Sequence, residues 1–307
     1  MSASHATDNS LTVVIPTYNR SPELARALDS LVVQTDPDFD VIVCDDGSTE
    51  DIAVVTQAYT DRLRLQLVRI DNSGGPARPR NVAVAAARAR WISFLDSDDW
   101  WTPQRMARVR ASLINGTDIV YHQLKVHRAD ASSGEKPAHG SLLGGPFRST
   151  DPLTHMIRFG NPLPTSATTV RRELMIEIGG FDESRDLVSV EDFDAWLRLA
   201  CRGATMSLIP EPLGSYWVGA DQISTFGPRQ YALQGNLFRR QLELLPPAYR
   251  ALAQSNFSYL LGSYALDLAL PGASEHFQHV SLAQEPWRWL KARAKLWRAQ
   301  YRPSGSR

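Results

Sequence analysis

Over the first hundred residues the apolar positions fall into short β-branched runs separated by helically spaced segments. LTVVIP (11–16) is a strand stopped by Pro16, and PELARALDSLVVQT (22–35) follows with apolar residues at the spacing of one helix face. DVIVCDDGS (40–48) reads as a second strand ending at Asp45, Asp46 and Gly47, with Ser48 or Thr49 placed to cap the next helix. LRLQLVRI (63–70) alternates as a third strand, NSGGPA (72–77) is a loop, RNVAVAAARA (80–89) is an alanine-rich helix and WISFL (91–95) is a fourth strand. Alternating strands and helices predict right-handed βαβ units and an α/β fold whose mainly parallel sheet is flanked by helices. Ligands of such sheets sit outside the carboxyl ends of the strands. PTYNR, DDGS and DSDD each lie where a strand ends, so all three are expected on one rim.

Beyond Trp101 the pattern loosens. It predicts a helix near 103–114, a strand DIVYHQLKV (118–126) and a surface loop over the Gly/Ser/Pro-rich 131–150. TSATTVRR (165–172) is a strand entering the helix ELMIEIGGF, and VEDFDAWLRLAC (190–201) is a helix with Phe193, Trp196, Leu197 and Ala200 inward. From about 228 onward everything reads helical. There is no internal repeat. The expected division is an α/β region over 1–225, in two parts of about 11–100 and about 101–225, followed by a helical extension over 226–307.

With 307 residues and 43% hydrophobic content the chain can bury a sizeable core. Lys plus Arg equals Asp plus Glu at 33 each, so nothing draws the whole molecule toward nucleic acid. Two cysteines in apolar surroundings, Cys44 and Cys201, fit reduced core thiols better than a disulfide framework. The polar N-terminus has no basic region followed by an apolar one, and no apolar run is long enough to span a bilayer, which makes the cytoplasm the expected compartment.

The densest chemistry is WISFLDSDDWW (91–101), where Asp96, Asp98 and Asp99 crowd the end of a strand. Two unit charges about 4 Å apart repel by roughly 1 kcal/mol in water and about 4 kcal/mol near a protein surface. Such a cluster is either a solvated turn or a seat for a cation. Its place on the expected ligand rim favours the cation.

The motifs VVIPTYNR, DDGSTED, GGPARPRN, FLDSDD, GGFDES and VEDFDAWLRL, in this order over about 11–225, resemble those of the family 2 glycosyltransferases. These are inverting enzymes of the GT-A fold that use nucleotide-diphosphate sugars. The resemblance implies that Pro16, Thr17 and Tyr18 lie beside the nucleobase, Asp46 accepts a hydrogen bond from it, and Arg80 lies near the diphosphate, with Arg20 and Ser97 in the same donor site. DSDD then stands as the family's metal-binding element, Asp96 toward the ribose and Asp98 toward Mn²⁺ or Mg²⁺, with Asp99 joining the shell or capping the next helix. The family's general base maps to Asp192, and Glu191 and Trp196 are the acceptor-side candidates, Trp196 because it lies four residues on from Asp192. The implied donor is a UDP-sugar and the acceptor a hydroxyl of a bacterial surface glycan or glycosylated small molecule. Rival readings are a nucleotidyltransferase, which wants a Gly-rich basic loop where PTYNR stands, and a sugar-nucleotide-binding pseudoenzyme.

Two stretches depart from the family. Arg78 and Pro79 make the GGPARPRN loop stiffer and more basic than usual, and GSYWVGADQIST (214–225) lacks the Arg or His expected to close on the donor, leaving Tyr216, Trp217 and Gln222 as candidates. The tail EPWRWLKARAKLWRAQYR (285–302) alternates tryptophans with basic residues. It suits either an anionic membrane surface or a helix packing its tryptophans on the catalytic domain.

Overall fold

The computed structural model describes residues 9–114, 116–130, 134–219 and 227–301. Gln222, one of the closure candidates, lies outside them, as do residues 1–8. In chain order the elements are β1 (Leu11–Thr17), α1 (Ser21–Val32), β2 (Asp40–Asp45), α2 (Ile52–Gln57), β3 (Arg64–Arg69), α3 (Ala77–Ala86), β4 (Trp91–Phe94), β5 (Trp100–Trp101), α4 (Arg105–Ser112), β6 (Ile119–Asp130), β7 (Gly134–Leu143), α5 (Pro152–Phe159), β8 (Thr168–Arg171), α6 (Arg172–Glu177), α7 (Glu191–Cys201), β9 (Met206–Val218), α8 (Pro228–Leu244), α9 (Pro247–Asp267), α10 (Ala273–Gln278) and α11 (Pro286–Tyr301). They form two compact units, one comprising 1–148 and 161–222, the other 149–160 and 223–307.

The first unit is built on one sheet of order β3-β2-β1-β4-β8-β6-β9-β5, with β7 added on β6. β1 pairs in parallel with both β2 and β4, and β2 with β3. β1 and β2 carry near-continuous apolar residues because both faces are covered. Val13, Ile15, Val41 and Val43 join Leu24, Ala27, Leu28 and Leu31 of α1 in one core cluster, all at most 1% exposed. Each such side chain contributes roughly 1.5–3 kcal/mol by leaving water. The chain runs outward from β1 through β2 to β3 and returns to β4 on the other side of β1, so its direction reverses between β1 and β4. That reversal opens a crevice beyond Thr17 and Phe94.

From β4 the sheet turns antiparallel through β8 and β6, while β9 runs parallel to β6 and takes up β5. β9 was not expected. Its sequence MSLIPEPLGSYWV holds two prolines and a glycine, which demote a strand by pattern alone, and the register with β6 shifts around Gln123 to accommodate them. The 131–150 stretch, expected as a loop, contributes β7, paired antiparallel with β6. The cap of α2 is Asp51, which accepts the Val54 N–H at 3.2 Å, not Ser48 or Thr49. Ser48 and Thr49 instead tie the DDGS turn to Asn19. Both cysteines are free, Cys44 buried and Cys201 half-buried.

The second unit is helical. Asp151 caps α5 by accepting from Leu153 and Thr154, and the buried Asn256 of α9 donates to the Ile157 carbonyl of α5. Phe238 of α8 stacks on Phe257 of α9 with centroids 4.1 Å apart. Phe277, Val280 and Ala292 form a small core that Tyr259, Leu266, Trp289 and Leu296 flank. Among the described residues no helix is long and apolar enough to cross a membrane.

Candidate active site

The crevice between β1 and β4 is floored by the three strand-end loops. Past β1, Tyr18 is exposed and Asn19 takes a left-handed φ of +48°. In that conformation its side chain accepts from the Thr49 N–H at 2.8 Å and its own N–H donates to Ser48 Oγ at 2.9 Å, locking PTYNR onto the DDGS turn. Thr17 is buried, and its carbonyl receives the Asp46 N–H at 2.9 Å. Asp46, also buried, gives Oδ1 to the N–H and hydroxyl of Ser73 at 2.9 and 2.8 Å.

Gly47 in this turn has φ +75°, and a Cβ there would lie 2.7 Å from the Asn72 backbone nitrogen. Only glycine fits both the angle and the space. Gly47→Ala is expected to destabilise the protein by about 1–3 kcal/mol, lowering Tm by several degrees, and to weaken nucleotide binding by displacing Asp46. A thermal melt and a nucleotide titration check it.

On the β4 side, the chain passes from Leu95 through Asp99 and re-enters the sheet as β5. Arg20 Nη1 stands 3.8 Å from Asp98 Oδ2, so the two sides of the crevice meet through this pair. Ser97 is buried beneath the loop. Asp98 keeps an accessible edge; its carboxyl is pushed up to about 6, first by burial and then by the charge of Asp96. Asp99 is 1% exposed and raised well above the carboxylate range, by burial and then by Asp98 and Asp96. It caps no helix: Oδ1 accepts the Trp217 N–H of β9 at 2.9 Å.

Arg80 of α3 joins the rim to α7. One guanidinium arm donates to Asp96 Oδ1 at 2.6 Å and the other to Glu191 Oε1 at 2.7 Å, with the residue 3% exposed. Burial disfavours its charge, and the two carboxylates outweigh that cost and hold it protonated beyond its usual range. Arg80 thus faces a diphosphate with one arm already held by each carboxylate, and Glu191, 3% exposed, gives Oε1 to Arg80 while its Oε2 and the Arg80 Nε have no hydrogen-bond partner among the described residues.

Asp192, the next residue, lies in a recess. Thr165 Oγ1 and Asn161 Nδ2 donate to its Oδ2 at 3.0 and 3.2 Å. Burial raises its carboxyl to about 6, with the Glu191 charge adding and Arg80 opposing. Trp196 is corrected outright as an acceptor plate. It is fully buried, its indole N–H donating to the Leu163 carbonyl at 3.2 Å, its ring packed against Phe94 and Phe181. Four residues on a helix subtend about 400°, so Trp196 shares Asp192's side of α7 but sits one turn deeper, under the sheet.

The sequence pattern missed Arg26, whose guanidinium lies over both the Trp100 and Trp217 rings at 4.3 and 4.9 Å and donates to the Asp98 carbonyl at 2.7 Å. It missed Asn161, Thr165 and Ser166 too, the last accepting the Asp96 N–H at 3.0 Å. Among the described residues no three acidic, His or Cys side chains are grouped closely enough to hold a metal by themselves. The fit is therefore partial: Asp98 offers a hard oxygen, and the mutual repulsion of Asp96, Asp98 and Asp99 is what a divalent cation relieves, its shell being completed by oxygens of a ligand.

Residues 12–177 match the family model described as glycosyl transferase family 2. An uncharacterized glycosyltransferase of Haemophilus influenzae is 29% identical over 192 residues, 62% of this chain and 61% of that protein. The Staphylococcus aureus poly(ribitol-phosphate) beta-N-acetylglucosaminyltransferase TarS is 40% identical over 91 residues, 29% of this chain and 16% of TarS. The match thus spans less than two thirds of either relative. The crystal structure of S. aureus TarS 1–349 in complex with UDP-GlcNAc superposes with a TM-score of 0.64 at 22% identity, over 93% of this chain and 88% of that one, a likeness of fold.

Proposed function

Because the chain belongs to glycosyltransferase family 2, on a GT-A fold, we propose that it transfers one sugar, with inversion, from a UDP-sugar to a hydroxyl of a surface glycan or glycoconjugate. The observation that carries this reading is the bridge at Arg80. A single guanidinium within 2.7 Å of both Asp96 and Glu191 sets the DSDD rim and the start of α7 side by side, as a reaction between a bound donor and an activated hydroxyl requires.

In this reading the sheet-bearing unit carries the chemistry. Pro16, Thr17 and the exposed Tyr18 border the base, with Tyr18 offering a ring face and Asp46 an acceptor for the uracil imide. Arg20 faces the diphosphate. Asp98 would hold Mn²⁺ or Mg²⁺ with the diphosphate oxygens, where the cation supplies Lewis-acid stabilisation of the leaving group. Asp192 takes the acceptor's proton as the hydroxyl attacks the anomeric carbon, held in place by Thr165 and Asn161. Its raised affinity for a proton suits that task better than an ordinary carboxylate. Attack opposite the diphosphate converts an α-linked donor into a β-linked product.

The test is a screen of UDP- and GDP-sugars by nucleotide release with Mn²⁺ present, followed by NMR of the product anomer. Release from a UDP-sugar and a β-linked product are expected. An α-linked product, or tight donor binding with no turnover on any acceptor, overturns the proposal, the second outcome favouring a sugar-nucleotide-binding protein.

A further inference from the structure

Helix α11 carries two apolar faces. Ala292, Trp289 and Leu296 turn inward against Phe277 and Val280 and close the small helical core. Trp287, Leu290, Ala294 and Trp297 follow at i, i+3, i+7 and i+10, a spacing that places them on one other side of the helix. There Trp287 is 75%, Leu290 49% and Trp297 62% exposed. The inner face closes the helical core, and this second stripe lies outside that core.

Its charge is one-sided. Between 286 and 301 the sequence has no acidic residue and five basic ones, in a chain whose net charge is zero. Arg288 and Lys295 lie over the Tyr259 ring at 5.3 and 5.8 Å, on the inward side. Lys291, Arg293 and Arg298 are exposed along the borders of the tryptophan stripe, Arg293 with its guanidinium 5.2 Å over the ring of the inward Trp289.

We propose that this face of α11 docks on an anionic lipid surface, with Trp287, Leu290 and Trp297 in the headgroup–acyl boundary and Lys291, Arg293 and Arg298 against lipid phosphates. Indole rings favour that boundary, being apolar in body and polar at one edge, and basic side chains beside them find their counter-charge at the same depth. A second copy of the chain fits less well, because pairing the stripes would press three cations on each copy against three on the other. A nucleic acid would meet the charges but leave the apolar stripe uncovered. The face uses none of the residues of sugar transfer.

The full chain is sedimented with vesicles of phosphatidylcholine alone or mixed with phosphatidylglycerol. At least roughly tenfold stronger binding to the anionic vesicles is expected, weakening as salt rises. Trp287→Ser with Leu290→Ser and Trp297→Ser should lose roughly tenfold or more of that binding while circular dichroism and nucleotide release stay unchanged. Lys291→Glu with Arg293→Glu and Arg298→Glu, which leaves every apolar residue in place, should abolish the preference for anionic lipid. Equal binding to both vesicle types, either variant binding as tightly as the parent, or a dimer in light scattering that the tryptophan variant dissolves would overturn the proposal.

Discussion

Replacing Asp192 by Asn is expected to slow sugar transfer by about 10²- to 10⁴-fold, the usual contribution of a positioned base, while donor affinity stays within a few-fold. The amide matches the carboxylate in shape and its oxygen can still accept from Thr165 and Asn161, the one hydrogen bond given up being that from the Phe193 N–H to the other oxygen. What disappears is the capacity to take a proton. The pH dependence separates this from a structural effect. The carboxyl is pushed up to about 6, and only its ionised form is a base, so the wild-type rate should climb through about pH 6 and level off above it. Glu191→Gln removes a charge that holds the proton on Asp192, so its rate limb should move to lower pH, and the Asn variant should show no limb at all. Near wild-type turnover, or an unchanged limb in the Asn variant, would remove Asp192 from the role of base.

Asp98→Asn is expected to cost at least about 10²-fold in kcat, because it removes a hard oxygen that keeps an accessible edge on the rim, and EDTA should do the same to the parent protein. The same substitution should make the protein more stable. In the folded state the Asp98 carboxyl is pushed up to about 6 from its ordinary value of 3.8, so the native state binds the proton more tightly than the unfolded chain. The resulting stability is complete below about pH 4 and is lost as pH rises through 6, leaving an ionised, partly desolvated carboxylate at pH 7. Two units correspond to at most about 3 kcal/mol, and with solvent screening at the open edge the gain on substitution is on the order of 1 kcal/mol, or about 2–4 °C in Tm. Calorimetry at pH 4 and pH 7 checks it: the variant's advantage should be present at pH 7 and absent at pH 4. An active Asp98→Asn enzyme indifferent to EDTA would refute the metal assignment.

What the sequence made legible follows from range. β1 to β4 and the helices between them were readable because their signals are local: β-branched runs, apolar spacing of about 3.6 and glycine-bearing turns. The strand-end motifs converged as expected, since a parallel sheet places successive carboxyl ends on one edge. The failures share the opposite cause. Asn161 and Thr165 reach Asp192 from about 30 residues away, out of NPLPTSA, whose last three residues read as the start of a strand and instead form a single 3₁₀ turn before β8. Arg26 sits on an ordinary helix and gains its place only because its indole partners arrive from β5 and β9. Trp196 went wrong in another way: periodicity gives the angle a side chain takes around a helix, not how deep that part of the helix lies.

The Asp96–Arg80–Glu191 string also bears on how this chain can change over time. Losing Glu191 leaves a buried guanidinium under-compensated, and losing Arg80 leaves Glu191 a buried anion without its cation, either event costing about 3–5 kcal/mol, a large part of a typical domain's stability, while the partly exposed Asp96 contributes less. A charge change at one of these positions is therefore expected to be tolerated only with a compensating change at another, and a recombination crossover placed anywhere between residues 80 and 191 should succeed only when both parents carry compatible charges at all three positions.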